Sequence, residues 1–199
     1  MRKAILLSLL LLSFSLAAFS QVQQFQIDPV HSSAVFKVKH MLVSTVVGRF
    51  TGVEGTIWYD EKDPSKSKVE ATIKTATVNT DNSSRDGDLK QNYFEVEKYP
   101  EMTFKSAKVE KRGDQWVTSG PLQIKDVTKN IEIPFDLTIA DMPRGGKGLG
   151  ASGTFKVNRN DYHVAKASVV DNGATVGNDI TIELNVEAHP PKPAAADKK

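Results

Sequence analysis

Apolar and polar residues alternate with a period of two along most of the chain, and this pattern predicts β-strands. In "NIEIPFDLTIA" every second residue from Ile131 to Ile139 is apolar, and "DITIELNVEA" repeats the pattern from Ile180 to Val186. The alternation predicts an all-β protein in which one face of each strand is buried. Further stretches complete a set of eight predicted strands between residues 33 and 187: "SSAVFKVKH", "GRFTGVEGTIWY", "KVEATIKTATV", "EMTFKSAKV", "QWVTSGPLQIK" and "GASGTFKVNR".

The links between these strands favour an antiparallel arrangement. Short polar links such as "KRGD" and "DMPRGGKG" suit antiparallel hairpins. An antiparallel sheet with one apolar face buries that face either in a two-sheet sandwich or in a closed barrel. Small residues at inward positions, including Gly48, Ala71 and Ala151, favour an eight-stranded barrel with space inside. Two long links, "NTDNSSRDGDLKQNYFEVEKYP" and "NDYHVAKASVVDNGATVGND", predict short helical or loop segments that cover its mouth.

Strand parity also predicts which side chains face the interior, since alternate residues of a strand lie on one face. A lumen about 25 Å tall would suit a long, thin apolar molecule better than a compact one. The predicted lining is Phe36, Val38, His40, Phe50, Ile73, Phe104, Leu122, Ile124, Ile133, Phe135, Phe155, Ile182 and Leu184. Phe94 and Tyr99, in the first long link, are candidates for a lid.

Two arginines are candidates for contacting the polar end of such a ligand. Arg159 has the inward parity of its strand, and Arg85 lies in the first long link. An inward guanidinium needs a counter-charge or a polar head group, because burying an unpaired charge is costly. One hypothesis is that Arg159, together with Arg85, binds a pyrophosphate or another polar lipid end. The alternative is an internal ion pair of Arg159 with Asp86 or Asp161.

Histidine-based metal and catalytic sites find little support in the spacing. On an extended strand His31 and His40 would lie about 30 Å apart on opposite faces, so they cannot share an ion unless the chain folds back. His31 is expected to have a structural role, oriented by Asp28 or by a neighbouring backbone carbonyl. Asp161 and His163 suggest a catalytic dyad, but no nucleophile accompanies them and the Gly-x-Ser-x-Gly signature is absent. We therefore predict no catalytic residue, no metal site and no cofactor.

The two ends of the chain lack the alternation. Residues 1–20 have the layout of a signal peptide cleaved near Ser20 and Gln21, with Arg2 and Lys3 before an apolar stretch shorter than the ~20 residues of a membrane span. We expect a periplasmic or secreted protein with no stable membrane insertion after cleavage. Residues 21–188 form the predicted barrel domain, and residues 189–199 a disordered tail of proline, alanine and lysine.

Charge and cysteine content exclude several classes of function. Removal of Arg2 and Lys3 lowers Lys+Arg from 26 to 24, against 24 Asp+Glu. A neutral mature chain lacks the basic stripe of a nucleic-acid-binding protein. The chain has no cysteine, which excludes disulfides, thiolate metal sites and a cysteine nucleophile.

Several separated blocks resemble one known family. "IDPVHSSAVFKVKHMLVSTVVGRFTGVEGTI", "RDGDLKQNYFEVEKYPEMTFKS", "GPLQIKDVTKNIEIPF", "FKVNRNDYHV" and "VGNDITIELNVEA" together resemble the YceI-like family of exported bacterial proteins, from Phe25 to Ala188. The resemblance implies an eight-stranded antiparallel lipocalin-like barrel that holds a polyisoprenoid chain. It also implies a periplasmic or secreted location, a homodimer in some members, and no established catalytic reaction.

The expected function is therefore an exported lipid-binding protein that sequesters or carries a long-chain isoprenoid, or a similar amphiphile, in the barrel lumen. Two alternatives belong to other classes. One is a packed β-domain that serves as a structural or interaction module. The other is an enzyme that acts on a lipid-like substrate through Asp161 and His163.

Overall fold

The computed structural model describes residues 22–143, 145–166 and 173–192 of the chain. Most of these residues belong to one antiparallel sheet, which closes into an eight-stranded barrel with one short α-helix outside the sheet. This architecture confirms the fold class predicted from the alternation. The predicted signal peptide and residues 193–199 of the predicted tail lie outside the described residues.

Eleven strand segments build the barrel. They are β1 (Gln23–Ile27), β2 (Ser33–His40), β3 (Ser44–Phe50), β4 (Val53–Tyr59), β5 (Lys68–Lys74), β6 (Glu101–Lys105), β7 (Lys108–Arg112), β8 (Gln115–Ile124), β9 (Val127–Asp141), β10 (Lys147–Asn158) and β11 (Asp179–His189). The helix α1 (Ser83–Asp88) continues into a π-helical turn (Leu89–Tyr93). Short 3₁₀ turns occupy Pro64–Lys66, Thr75–Thr77 and Arg159–Tyr162.

Three of the eight barrel strands are interrupted, which reconciles eleven segments with eight strands. β1 and β2 are two parts of one strand, since both pair with β11. β3 and β4 are two parts of the next, since β3 pairs with β2 and β4 pairs with β1. β6 and β7 form the third, since both pair with β8. The remaining neighbours follow each other around the barrel as β4–β5–β6 and β8–β9–β10–β11. The ring closes where Gln26 pairs with His189 and Ile27 pairs with Ala188.

The first segment, β1, was not among the predicted strands because it is only five residues long. Its last three residues nonetheless alternate: Phe25 and Ile27 are buried, and Gln26 between them is exposed. The side chain of Phe25 is 1% exposed, at the centre of a core that includes Leu149 and Ala188. The closing strand of the barrel is therefore also one of its best-packed elements.

Both long links lie at one end of the barrel, which we call the lid end. His40, Lys74 and Asn158 mark this end, since β2, β5 and β10 finish there. The segment from Ser83 to Tyr99, which we call the lid, crosses the lid end between β5 and β6. Among the described residues, no helix is long and apolar enough to span a membrane.

Replacement of Phe25 with alanine should lower the free energy of unfolding by about 3–5 kcal/mol, because a fully buried aromatic side chain leaves a cavity. Urea denaturation followed by tryptophan fluorescence measures the change. Val47→Ala on β3 is the control, since Val47 is 49% exposed and its truncation should cost less than about 0.5 kcal/mol. Equal effects of the two substitutions would contradict the assignment of β1 to the core.

Candidate functional site

A cavity of about 430 Å³ occupies the interior of the barrel. Its wall includes His40 and Arg159 at the lid end and Tyr59 and Trp116 at the opposite end, so the cavity extends along the barrel. Its volume falls within the range of roughly 300–1,000 Å³ that is typical of small-molecule sites. The side chains of the strands thus line the interior without filling it.

The predicted lumen residues all lie in the wall of this cavity. They are Phe36, Val38, His40, Phe50, Ile73, Phe104, Leu122, Ile124, Ile133, Phe135, Phe155, Ile182 and Leu184. Parity was sufficient to place them because their strands are regular and a two-residue period has only two faces. A role of these residues in binding a ligand stays a prediction.

The wall also contains residues that the parity analysis did not name. Leu137, Ile180 and Val186 belong to alternating stretches that the sequence showed, so their parity could have revealed them. Ile27 lies on β1, which was not predicted. Leu89 enters the wall from the π-helical turn, whose contacts no strand period can predict.

Small residues leave room for the aromatic rings of the wall. A Cβ atom at Gly48 would lie 2.3 Å from Cζ of Phe36, so the absence of a side chain there lets that ring lie against the backbone of β3. Phe36 in turn contacts Phe50, with ring centroids 5.7 Å apart. Phe94 of the lid stands edge-on to Phe50 at 5.3 Å. The lid therefore continues the apolar wall of the barrel.

Ion pairs hold the lid on the barrel at two points. Lys125 in the β8–β9 turn is buried, and its Nζ donates hydrogen bonds to the Glu95 carboxylate and, at 2.9 Å, to the carbonyl oxygen of His163. Lys166 Nζ donates to Asp88 Oδ1 at 2.9 Å. The Lys125 bond lowers the pKa of Glu95, and the Lys166 bond does so for Asp88, so both contacts weaken as pH falls through these lowered pKa values.

The charged side chains of the cavity wall are concentrated at the lid end. Arg85, Asp88 and Arg159 belong to the wall there, together with Lys39 and His40. Arg85 donates from Nε to Thr80 Oγ1 at 2.7 Å and from Nη2 to the Thr80 carbonyl at 2.9 Å. Lys68, whose Nζ lies over the Trp58 ring at the opposite end, is the other charged residue of the described wall, so the charge is concentrated at the lid end.

Arg159 is 5% exposed and binds backbone carbonyl groups of the second long link. Its guanidinium donates to the oxygens of Gly177 at 3.0 Å, Val176 at 3.0 Å and Val164 at 3.2 Å. The acids that the sequence suggested as ion-pair partners bind other groups: Asp86 accepts from Thr80, and Asp161 pairs with Lys129. Arg159 therefore shapes the loop that borders the lid end.

The suggested pair of Asp161 and His163 is not assembled. Asp161 Oδ2 lies 3.1 Å from Lys129 Nζ, whereas His163 Nδ1 lies 3.1 Å from Asp126 Oδ1. The second lid candidate, Tyr99, is not part of the cavity wall. Its ring lies beneath the ammonium groups of Lys98 and Lys125, at 4.9 Å and 5.7 Å from Nζ.

Lys125→Met should loosen the lid, because the change removes the bonds to Glu95 and to the His163 carbonyl while keeping the apolar stem. We expect faster amide hydrogen exchange across residues 83–99 at neutral pH, measured by mass spectrometry. Lys129→Met is the control, since it removes the exposed ion pair with Asp161 and should leave exchange in the lid unchanged. Unaltered amide hydrogen exchange of the lid in Lys125→Met would contradict the role of Lys125 in holding the lid.

Comparison with known proteins places this barrel in a family. A model of the YceI-like domain matches residues 25–188. Protein YceI of Salmonella newport (strain SL254) is 33% identical over 164 residues, which cover 77% of this chain and 86% of that relative.

Two solved structures share the architecture. The YCEI protein of Campylobacter jejuni superimposes with a TM-score of 0.68 at 32% identity, covering 77% of this chain and 90% of that one. A polyisoprenoid binding domain from Saccharophagus degradans gives a TM-score of 0.64 at 14% identity, covering 86% of this chain and 100% of that domain, and it supports the fold alone. The family match and the sequence relatives show that the chain belongs to the YceI-like domain family.

Proposed function

We propose that this protein is an exported carrier that holds one long-chain isoprenoid, or a similar amphiphile, inside its barrel. The observation that carries the proposal is the cavity of about 430 Å³, which extends along the barrel and is lined almost wholly by apolar side chains. An elongated apolar cavity excludes compact polar ligands, because each polar group buried there would lose its hydrogen bonds to water. It suits a flexible hydrocarbon chain.

The energetics are adequate for a carrier. Each buried methylene contributes about 0.8 kcal/mol, so about ten of them contribute roughly 8 kcal/mol before ordering costs are subtracted. Before those costs, roughly 8 kcal/mol corresponds to about micromolar affinity, and each further buried methylene of a longer chain adds to the gross gain. Binding would then be firm enough to keep the lipid from water and weak enough to release it.

The uneven distribution of charge gives the ligand a direction. The hydrocarbon chain would lie between Phe155 and the rings at the opposite end, and the polar end would face Arg85 and His40 at the lid end. Because Arg159 already binds three carbonyl groups, its contribution to a head-group site is chiefly to position the surrounding loop. Arg85, an exposed residue, is better placed to meet an anionic group.

The comparisons support a binding protein rather than an enzyme. The Saccharophagus degradans neighbour is described as a polyisoprenoid binding domain, and its barrel has the fold found here. Within the described residues, Asp161 pairs with Lys129 and His163 pairs with Asp126, so the two do not form the suggested dyad. The basic and then apolar residues 1–20 support export to the periplasm or beyond.

Native mass spectrometry of protein purified from cells, followed by organic extraction, tests the proposal. We expect one equivalent of a long-chain species, or uptake of one equivalent of an added long-chain prenol by stripped protein. Protein that is repeatedly empty and takes up no prenol would contradict a carrier and favour a packed structural module.

A substitution in the lumen makes the test specific to the cavity. Ala151 lies in the cavity wall on β10, so Ala151→Phe should obstruct the lumen and lower lipid retention at least about tenfold. Thr154→Phe on the same strand is the matched control, because Thr154 is exposed on the outer face. Equal retention by the two folded variants would place the lipid outside the barrel.

A further inference from the structure

Four side chains from distant parts of the sequence converge where β1 meets β11. Asp28 and His31 lie in the turn between β1 and β2, and Glu187 and His189 lie near the end of β11. His31 Nδ1 is 2.9 Å from Asp28 Oδ2, and His189 Nε2 is 2.9 Å from Glu187 Oε1. Asp28 Oδ2 also lies 3.8 Å from His189 Nε2, and Glu187 Oε1 lies 4.0 Å from His31 Nδ1. The four donor atoms form a closed ring.

The spacing of these donor atoms suits a metal site built on Asp28, Glu187 and His189, with His31 beside them. Zinc binds imidazole nitrogen and carboxylate oxygen at about 2.0–2.2 Å, which places neighbouring ligand atoms of a tetrahedron about 3.4 Å apart. The four edges of the ring, from 2.9 to 4.0 Å, lie on either side of that value. Donor atoms of Asp28, Glu187 and His189 all lie within 4.8 Å of one another. Asp28, Glu187 and His189 are thus the compact part of the site, and rotation of the exposed His31 side chain would bring its imidazole in as the fourth ligand.

The backbone holds the four ligands in place without a metal. The Asp28 amide donates to the Glu187 carbonyl at 2.8 Å, and Ser32 Oγ accepts from the Glu187 amide at 3.0 Å. Asp28 Oδ1 accepts from the Val30 amide at 2.8 Å, which leaves Oδ2 for the ring. Glu187 and His189 are two residues apart on one strand and so lie on the same face. The sheet therefore positions Glu187 and His189, and backbone hydrogen bonds of the turn position Asp28 beside them.

Charge and donor chemistry select the class of cation. Two carboxylates with two neutral imidazoles carry a charge of about −2, which a divalent cation neutralises. Imidazole ligands favour zinc, copper and nickel over magnesium and calcium, which prefer oxygen ligands throughout. The site is open to solvent, since 60% of the His31 side chain is exposed. A cation can therefore enter without unfolding.

We propose that Asp28, His31, Glu187 and His189 bind one divalent transition-metal cation and thereby tie the turn after β1 to β11. The cation replaces the protons that join each histidine to its carboxylate. The site lies outside the wall of the central cavity, so its existence does not depend on the lipid that we propose for the lumen. No metal site was expected from the sequence, because the spacing of His31 and His40 separates them, whereas His31 and His189 share the acidic neighbours Asp28 and Glu187.

Isothermal titration of the protein with Zn²⁺ tests the site, with no histidine tag present. We expect one equivalent to bind, and we expect His31→Ala and His189→Ala each to weaken binding about 100-fold. His163→Ala is the matched control, because His163 forms a similar pair with Asp126, and the part of the chain that the structure describes adds no third metal-ligating side chain to that pair. That variant should bind zinc as the unaltered protein does.

Two measurements on the unaltered protein keep the test independent of how the variants fold. Zinc should shift the imidazole NMR signals of His31 and His189 and leave those of His40 and His163 in place. Zinc at a hundredfold excess over Kd should raise Tm by about 5–10 °C. No saturable binding below about 1 mM zinc, or shifts confined to other histidines, would overturn the proposal.

Discussion

Pairing of β1 with β11 closes the sheet, and the interior of the molecule depends on that closure. An open sheet of these strands would expose an apolar face and an unpaired edge to water. Closure removes both, and it directs Phe36, Ile133, Ile182 and their neighbours toward a common axis. Because an eight-stranded barrel is just wide enough to hold a small ligand when its lining is not bulky, Gly48, Ala151 and similar residues decide whether space remains.

The closing contact is short, with two residue pairs between β1 and β11. The strand is interrupted immediately afterwards, between β1 and β2. Ser32 bridges this interruption through hydrogen bonds to the backbone of Glu187. The convergence of Asp28, His31, Glu187 and His189 lies over this interruption. A cation bound there would reinforce a seam that only two residue pairs of the main-chain ladder hold. The lid end instead relies on Lys125 and Lys166, whose ion pairs can open without disturbing the sheet.

The sequence was sufficient to predict the barrel and much of its lining, because a period of two assigns every residue of a regular strand to one of two faces. Phe155, Ile182 and Leu184 were placed in this way. Phe25 was not predicted to lie in a strand because β1 is short. His189 was assigned to the disordered tail, although it is the last residue of β11.

Contacts between distant segments were beyond the reach of such a pattern. The carbonyl partners of Arg159 lie in a loop whose path no periodicity describes, and the same holds for the bond from Lys125 to the lid. The approach of His189 to Asp28 and of His31 to Glu187 follows from strand register across the closed sheet. Register depends on the whole barrel, so it becomes visible only once the fold is known.

The central claim is that the barrel is hollow and apolar inside. Xenon occupies dry apolar cavities, so a crystal structure of lipid-stripped protein under xenon pressure tests the claim most directly. The account predicts xenon peaks along the axis, among Phe155, Ile182 and Leu184. Side-chain density that fills the interior from end to end, with no xenon inside the barrel, would contradict it.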